Sequence, residues 1–179
     1  YCGAGGLSLG FAMALETVKI QGFDIDKWAV ETYNFNLDHL NCKAEVKNVL
    51  KWEPKGEYDL VIGGVPCQPY SMANVSRAGK GHPLYPTLPR FFDIISILNP
   101  KVFLMENVKG LVTKKHELLL MEQIKRIKDS YLVRWKVLNS ALFGVPQKRN
   151  RVFIIGMQDF NEIDPFPEQA ADEVVTVKK

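Results

Sequence analysis

The apolar run Leu60-Val61-Ile62-Gly63-Gly64 has the length of a buried strand, and prolines at Pro66 and Pro69 stop it almost at once. Proline lacks the N–H that a ladder needs, so the chain must leave the sheet there. The loop Gly64-Val65-Pro66-Cys67-Gln68-Pro69-Tyr70-Ser71 thus carries a cysteine at the carboxyl edge of a strand, which is where α/β sheets present their chemistry. The thiolate is the nucleophilic form of cysteine, and a loop leading into a helix can favour it. A free cysteine also serves as a small buried hydrophobe. The loop by itself leaves both uses open.

A chain of 179 residues, 46% of them hydrophobic, suits one domain with a substantial core. No apolar run reaches the ~20 residues that span a bilayer, so no membrane partner is expected. The start Tyr1-Cys2-Gly3 has neither an initiating Met nor a basic leader, and the chain is expected to begin inside a fold or after processing. Cys2, Cys42 and Cys67 are odd in number and lack CxxC spacing, which argues against a disulfide framework and against a metal site. A reducing, intracellular compartment is expected: cytoplasm or nucleoid in a prokaryote, nucleus in a eukaryote. The formal charge of +3 is too small to argue nucleic-acid binding from bulk charge, which leaves local placement to carry it.

Gly3-Ala4-Gly5-Gly6 precedes Leu7, Phe11, Ala14 and Leu15 at helical spacing. A tight glycine turn that opens a helix brings bare backbone and a helix N-terminus up to a ligand. Ser8 stands where a dinucleotide fingerprint has its third glycine, which tilts the ligand away from a pyrophosphate. The run 18–24 alternates and ends in Asp24, placed at a strand end to accept from ribose hydroxyls, with Ile25 able to cover an adenine and Asp26 reading as the N-cap of a helix over 27–37. Cys42-Lys43-Ala44-Glu45-Val46 is a short third strand. Glu45 there is either an acceptor for an adenine amine or an exposed loop glutamate.

The stretch 71–89 is rich in Gly, Pro, Ser and Asn with little apolar periodicity, and it reads as a long loop that either closes over a polyanion or is simply solvated. A short helix over 90–98 follows, then a strand ending in Glu106-Asn107-Val108. An acid at the end of an otherwise apolar strand must find a partner or a proton, so Glu106 is the acid/base candidate, with a structural carboxylate as the bland reading. A helix over 115–131 and a strand over 132–138 lead to Gln147-Lys148-Arg149-Asn150-Arg151 and the strand 152–156. Arg149 and Arg151, two apart at a strand entry, are expected to point to one side and to suit phosphate or base oxygens, or to be solvated turn residues.

These motifs together resemble the cytosine-5 DNA methyltransferase family, from Tyr1 to about Met157. Tyr1-Cys2-Gly3-Ala4-Gly5-Gly6 with Gly10-Phe11 is similar to its S-adenosylmethionine loop, Gly64-Val65-Pro66-Cys67-Gln68 to its nucleophile motif, Glu106-Asn107-Val108 to its acid motif, and Gln147 to Arg151 to its Q-x-R-x-R element. The resemblance implies an α/β, Rossmann-like methyltransferase fold with a mixed, mostly parallel sheet and helices on both faces. It implies S-adenosylmethionine as methyl donor, with S-adenosylhomocysteine as product, and double-stranded DNA as partner. By resemblance Tyr1, Cys2, Gly3, Ala4, Gly5, Gly6, Phe23, Asp24, Ile25, Glu45, Val46, Gly64 and Pro66 bind cofactor. Cys67, Glu106, Arg149 and Arg151 are catalytic, and Gln68, Ser71 and Asn107 face a flipped-out cytosine.

Several positions depart from the family's pattern. Asp24 and Ile25 stand where glutamate and a bulkier, often aromatic residue are common, and Glu45 where aspartate is. The register of 83–90 against the family is ambiguous. The family continues into a target-recognition region and two further motifs, so residues 1–160 are expected to form a catalytic domain lacking its first strand and 161–179 a tail leading toward them. Either a downstream segment or a second subunit would supply the rest, and the 179 residues alone are expected to bind cofactor weakly and methylate slowly. A tRNA cytosine-5 methyltransferase would share every motif present, a catalytically dead binding module would not need the intact Cys67, Glu106 and arginines, and a nicotinamide oxidoreductase is disfavoured by Ser8.

Overall fold

The protein is described from a computed structural model over residues 1–15, 18–70, 81–159 and 164–168. Strands and helices alternate: α1 (Gly6–Ala14), β1 (Ile20–Asp24), α2 (Lys27–Leu37), β2 (Cys42–Val46), β3 (Leu60–Gly64), α3 (Thr87–Leu98), β4 (Val102–Val108), α4 (Glu117–Ile127), β5 (Leu132–Asn139) and β6 (Asn150–Met157). Local chemistry sets several of these boundaries. Asp26 caps α2 as expected, its Oδ1 accepting from the N–H groups of Trp28 (2.8 Å) and Ala29 (3.3 Å). Helix α3 starts at Thr87, three residues earlier than the sequence pattern suggests. Pro89 falls in its first turn, where the missing N–H has no intrahelical partner to lose. The helix stops at Asn99, which adopts a left-handed conformation at φ 44°.

Strands β3 and β4 pair in parallel, and β6 runs antiparallel to both β4 and β5, giving the order β3-β4-β6-β5. Three of those four strands therefore point one way, and the mixed α/β character expected from the sequence is present. The single sheet is not: β1 and β2 form a separate parallel pair. The two pieces are tied at Tyr1, whose amino group donates to the Phe23 carbonyl (2.5 Å) and whose own carbonyl accepts from Gly64 N–H (3.3 Å). Away from Tyr1 the edges of β1 and β3 face each other across a cavity of about 660 Å³, lined by apolar side chains such as Phe11, Ile20, Val61, Phe91 and Ile94, and the Tyr58 hydroxyl ahead of β3 donates to Gln21 Oε1 of β1 (2.9 Å).

Strand alternation decides what faces the main core. Phe103, Met105 and Asn107 of β4 are buried on one side, and Val102, Leu104 and Glu106 lie half-buried on the other. Against the buried side α3 packs Leu88, Phe91, Phe92 and Ile95, and α4 packs Leu120 and Ile127. Phe103 sits at the centre, with the rings of Phe91, Phe92 and Tyr131 edge-on at 5.4–6.1 Å. Each such side chain contributes about 1.5–3 kcal/mol by leaving water. A smaller core of Val30, Tyr33, Leu37, Cys42 and Ala44 fastens α2 to β1 and β2.

No helix among the described residues is long and apolar enough to cross a membrane. Of the tail over 161–179, only 164–168 is described, and Asp164 pairs there with Lys136 at 3.8 Å.

Candidate active site

Parallel pairing of β3 with β4 puts Gly64 directly opposite Glu106, both at the carboxyl ends of their strands. The chain beyond Gly64 passes Val65 and Pro66 to Cys67, whose carbonyl accepts from Tyr70 N–H (2.9 Å) to close a 3-10 turn over Gln68–Tyr70. Cys67 is partly exposed. Gln68 is exposed beside it, and Ser71 lies outside the described residues. The other two thiols are poor nucleophiles: burial pushes the Cys2 thiol up to about 11, and Cys42 is buried with its thiol shifted in the same direction.

The side chain of Glu106 meets Arg151 from the start of β6, with Nε donating to Oε1 at 2.8 Å. Both are about three-quarters buried, at 22% and 24% exposure, so the pair is more than a rim contact. Arg149 does not share this position. It precedes β6 and is exposed, and its carbonyl accepts from Ser140 N–H (3.0 Å). Same-side placement at i and i+2 holds only inside a strand, and β6 begins at Asn150.

Asn107 is placed differently from the expectation that it faces substrate. Being next to Glu106 on a strand, it points to the opposite face and is 0% exposed. Its Nδ2 donates to the Val65 carbonyl (3.1 Å) and its Oδ1 accepts from Val108 N–H (2.9 Å). Asn107 therefore fixes the backbone just ahead of Cys67.

The glycine turn is built as its sequence implies. Gly3 and Gly5 both have positive φ, 54° and 97°. A Cβ at Gly5 would stand 2.9 Å from the Tyr33 ring and closer still to Leu37, so only glycine lets α1 approach α2. Above Gly3 and Gly6, by contrast, nothing lies within 4 Å. No side chain caps α1, so the first N–H groups of that helix are left for a ligand. Asp24 accepts from Gly3 N–H (2.8 Å) and Asp26 N–H (3.1 Å), which ties the turn to β1 and leaves carboxylate lone pairs unused. Ile25 and Val46, at the ends of adjacent strands, are 67% and 54% exposed although apolar. Glu45 is exposed and bound to Lys47 (3.0 Å) and Gln21 (3.2 Å), bonds that hold its carboxyl below the ordinary range.

Tyr1 and Phe23 border both this turn and the cavity between the sheets. The Phe23 ring packs on Trp52 at 4.4 Å with Lys47 Nζ 4.6 Å above it. Arg90 holds the Trp52 segment by donating to the carbonyls of Val49 (2.9 Å) and Trp52. Sequence reading missed Trp52 and Arg90. A lone arginine within the apolar face of a helix was the available signal, since such a group needs buried acceptors. Among the described residues no cluster of His, Cys, Asp and Glu could hold a metal.

These features fall into a recognisable class: an α/β domain with an uncapped glycine turn at one strand end and a cysteine–carboxylate–arginine group at the next. The chain belongs to the family of C-5 cytosine-specific DNA methylases, whose pattern it matches over residues 1–178. It is 37% identical to the Type II methyltransferase M1.HphI of Haemophilus parahaemolyticus, across 99% of this chain and 49% of that protein. It is 34% identical to the Type II methyltransferase M.HgiBI of Herpetosiphon aurantiacus, across 97% of this chain and 40% of that one. A crystal structure of a prophage-encoded E. coli protein described as a DNA modification methyltransferase superposes with a TM-score of 0.75 at 26% identity, covering 98% of this chain and 51% of that one. The chain thus spans about half the length of the curated relatives it matches.

Proposed function

We propose that this chain carries the catalytic part of an S-adenosylmethionine-dependent DNA cytosine-5 methyltransferase. The observation that supports this best is the Glu106–Arg151 pair, opposite Gly64 and at the edge from which the Cys67 loop departs. The residues present fit the cofactor. The bare α1 N-terminus and the open space over Gly3 and Gly6 would take its amino-acid end, Asp24 its ribose, and Ile25 and Val46, beside Glu45, its adenine. Tyr1, Cys2, Ala4 and Gly5 would shape that turn around the cofactor, Phe23 would back it, and Gly64, whose N–H donates to the Tyr1 carbonyl, and Pro66 would border it on the cysteine side. When bound, S-adenosylmethionine supplies an electrophilic methyl group.

Cytosine C5 alone is too weak a nucleophile to take that group. Cys67 thiolate would add to C6, forming the S–C6 bond while the C5–C6 π pair moves to C5. Glu106, carrying a proton in the complex, would donate to N3 and accept from the exocyclic amine, compensating the negative charge that builds on the ring, and Arg151, which holds the Glu106 side chain in place, would reach toward O2. Arg149, exposed beside it, would meet the nucleic-acid backbone. After C5 has gained the methyl, loss of its proton to a base returns the electron pair, the S–C6 bond breaks and Cys67 leaves. A stacked base cannot be reached in this way, so the cytosine must be extruded from duplex DNA at a cost of roughly a few kcal/mol, with Gln68 at the mouth of the site.

Two measurements test this reading. Calorimetry should detect one S-adenosylhomocysteine per chain, lost in Asp24→Ala. Duplex DNA containing 5-fluorocytosine, which has no C5 proton to lose, should form a denaturation-resistant adduct in the presence of S-adenosylmethionine. The adduct should disappear in Cys67→Ser. An adduct that persists in Cys67→Ser, or forms on tRNA and not on DNA, would overturn the proposal.

A further inference from the structure

Two clamps hold the cysteine loop, and both come from the segment that carries the acid. Upstream of Cys67, Asn107 binds the Val65 carbonyl. Downstream the contact is backbone on backbone: at Gly110, in the 3-10 turn Lys109–Val112 that follows β4, a Cβ would approach the Tyr70 carbonyl oxygen more closely than the 3.0 Å that real Cβ atoms keep. Gly110 has no positive φ, so its own conformation does not demand glycine. What demands it is the proximity of Tyr70. Tyr70 in turn cannot retreat. It is fully buried, its hydroxyl donates to the Tyr85 carbonyl (3.3 Å), and its ring lies edge-on to His116 at 5.5 Å. Its N–H closes the turn onto Cys67.

We propose that Gly110 is a positioning residue for Cys67. The missing side chain lets the turn after β4 close on the Tyr70 carbonyl, and the Cys67–Tyr70 turn transmits that placement to the thiol relative to Glu106. This rests on the reaction proposed above. A methyl at position 110 would push the tight Cys67–Tyr70 turn away from β4, and a displacement approaching 1 Å of a reacting group costs on the order of 10²-fold in rate.

The test compares Gly110→Ala with Gly156→Ala, whose added methyl would collide with the Phe103 ring in the core, away from the loop. Three readouts are taken on the protein: single-turnover adduct formation with 5-fluorocytosine DNA, S-adenosylhomocysteine affinity, and the pH profile of Cys67 alkylation by iodoacetamide followed by peptide mass spectrometry. Gly110→Ala should fold, keep its S-adenosylhomocysteine affinity within about twofold, slow adduct formation roughly ten- to hundredfold and change the Cys67 alkylation profile. Gly156→Ala should lower the melting temperature and leave the rate per folded molecule and the alkylation profile unchanged. The proposal is overturned by a native adduct rate in Gly110→Ala, by an equal loss in Gly156→Ala, or by failure of Gly110→Ala to fold, since the assigned effect is local. If the native protein forms no adduct, the proposed reaction falls, and the alkylation contrast still decides whether Gly110 positions the thiol.

Discussion

Gly3 and Gly5 offer a controlled experiment, because they share one turn and a left-handed backbone and differ in what surrounds them. Alanine at either position incurs about 1–2 kcal/mol of backbone strain. At Gly5 the new methyl also runs into Leu37 and Tyr33. Forcing it into that packed contact adds about 1–3 kcal/mol, so Gly5→Ala should cost about 2–5 kcal/mol in total. For a chain of this size each kcal/mol moves the melting temperature by about 2–4 °C, giving a drop of roughly 4–20 °C. At Gly3 the methyl meets nothing, and the loss should stop at the strain, a few degrees. The space it fills is the space over the turn that the methyl donor would occupy, so S-adenosylhomocysteine affinity should fall at least about tenfold, or 1.4 kcal/mol. Thermal denaturation by circular dichroism and calorimetric titration read the two effects separately. If Gly3→Ala melts as low as Gly5→Ala, or binds S-adenosylhomocysteine like the native protein, the division of labour inferred for the turn is wrong.

Arg151→Gln removes a charge-assisted partner of Glu106 worth about 1.5–3 kcal/mol, and should slow single-turnover adduct formation roughly ten- to hundredfold; a rate within twofold of native would show that the pair does not serve the chemistry. Asn107→Ala leaves the Val65 carbonyl and the Val108 N–H unpaired beneath the loop and should lower stability by about 2–5 kcal/mol, read as a shift of the urea midpoint, with an unshifted midpoint counting against the clamp. Burial, with Lys115 adding to it, holds the His116 imidazole below its ordinary range. The native state therefore resists protonation more than the unfolded chain does. The stability this group contributes is present above the unfolded value of ~6.5 and is lost as pH falls through the lowered native value. His116→Phe keeps an aromatic edge against Tyr70 and removes the titration, so its melting temperature should fall less than the native protein's between about pH 7.5 and 5.5. Equal falls would exclude His116 as a source of the acid sensitivity.

Local rules were enough to read much of this chain from its residues. The prolines around Cys67 force the thiol out at a strand end, Asp26 caps a helix wherever the rest of the chain lies, and the glycine turn opens α1 because few other residues tolerate its dihedrals. The order of strands and helices follows from apolar periodicity, with boundaries displaced by a few residues where α3 proved to start at Thr87 and to carry Pro89 in its first turn. What sequence could not fix is anything that depends on which backbones meet. Alternation says that Glu106 and Asn107 face opposite ways, but only the packing of α3 and α4 on β4 decides that Asn107 is the one turned inward. Arg149 and Arg151 look equivalent in sequence, and they part because one lies in β6 and the other just before it. Gly110 carries no local signature at all. Its need for glycine arises from the carbonyl of a residue forty positions earlier in the chain, which no pattern of spacing records and which only the closing of β4 against the cysteine loop brings within reach.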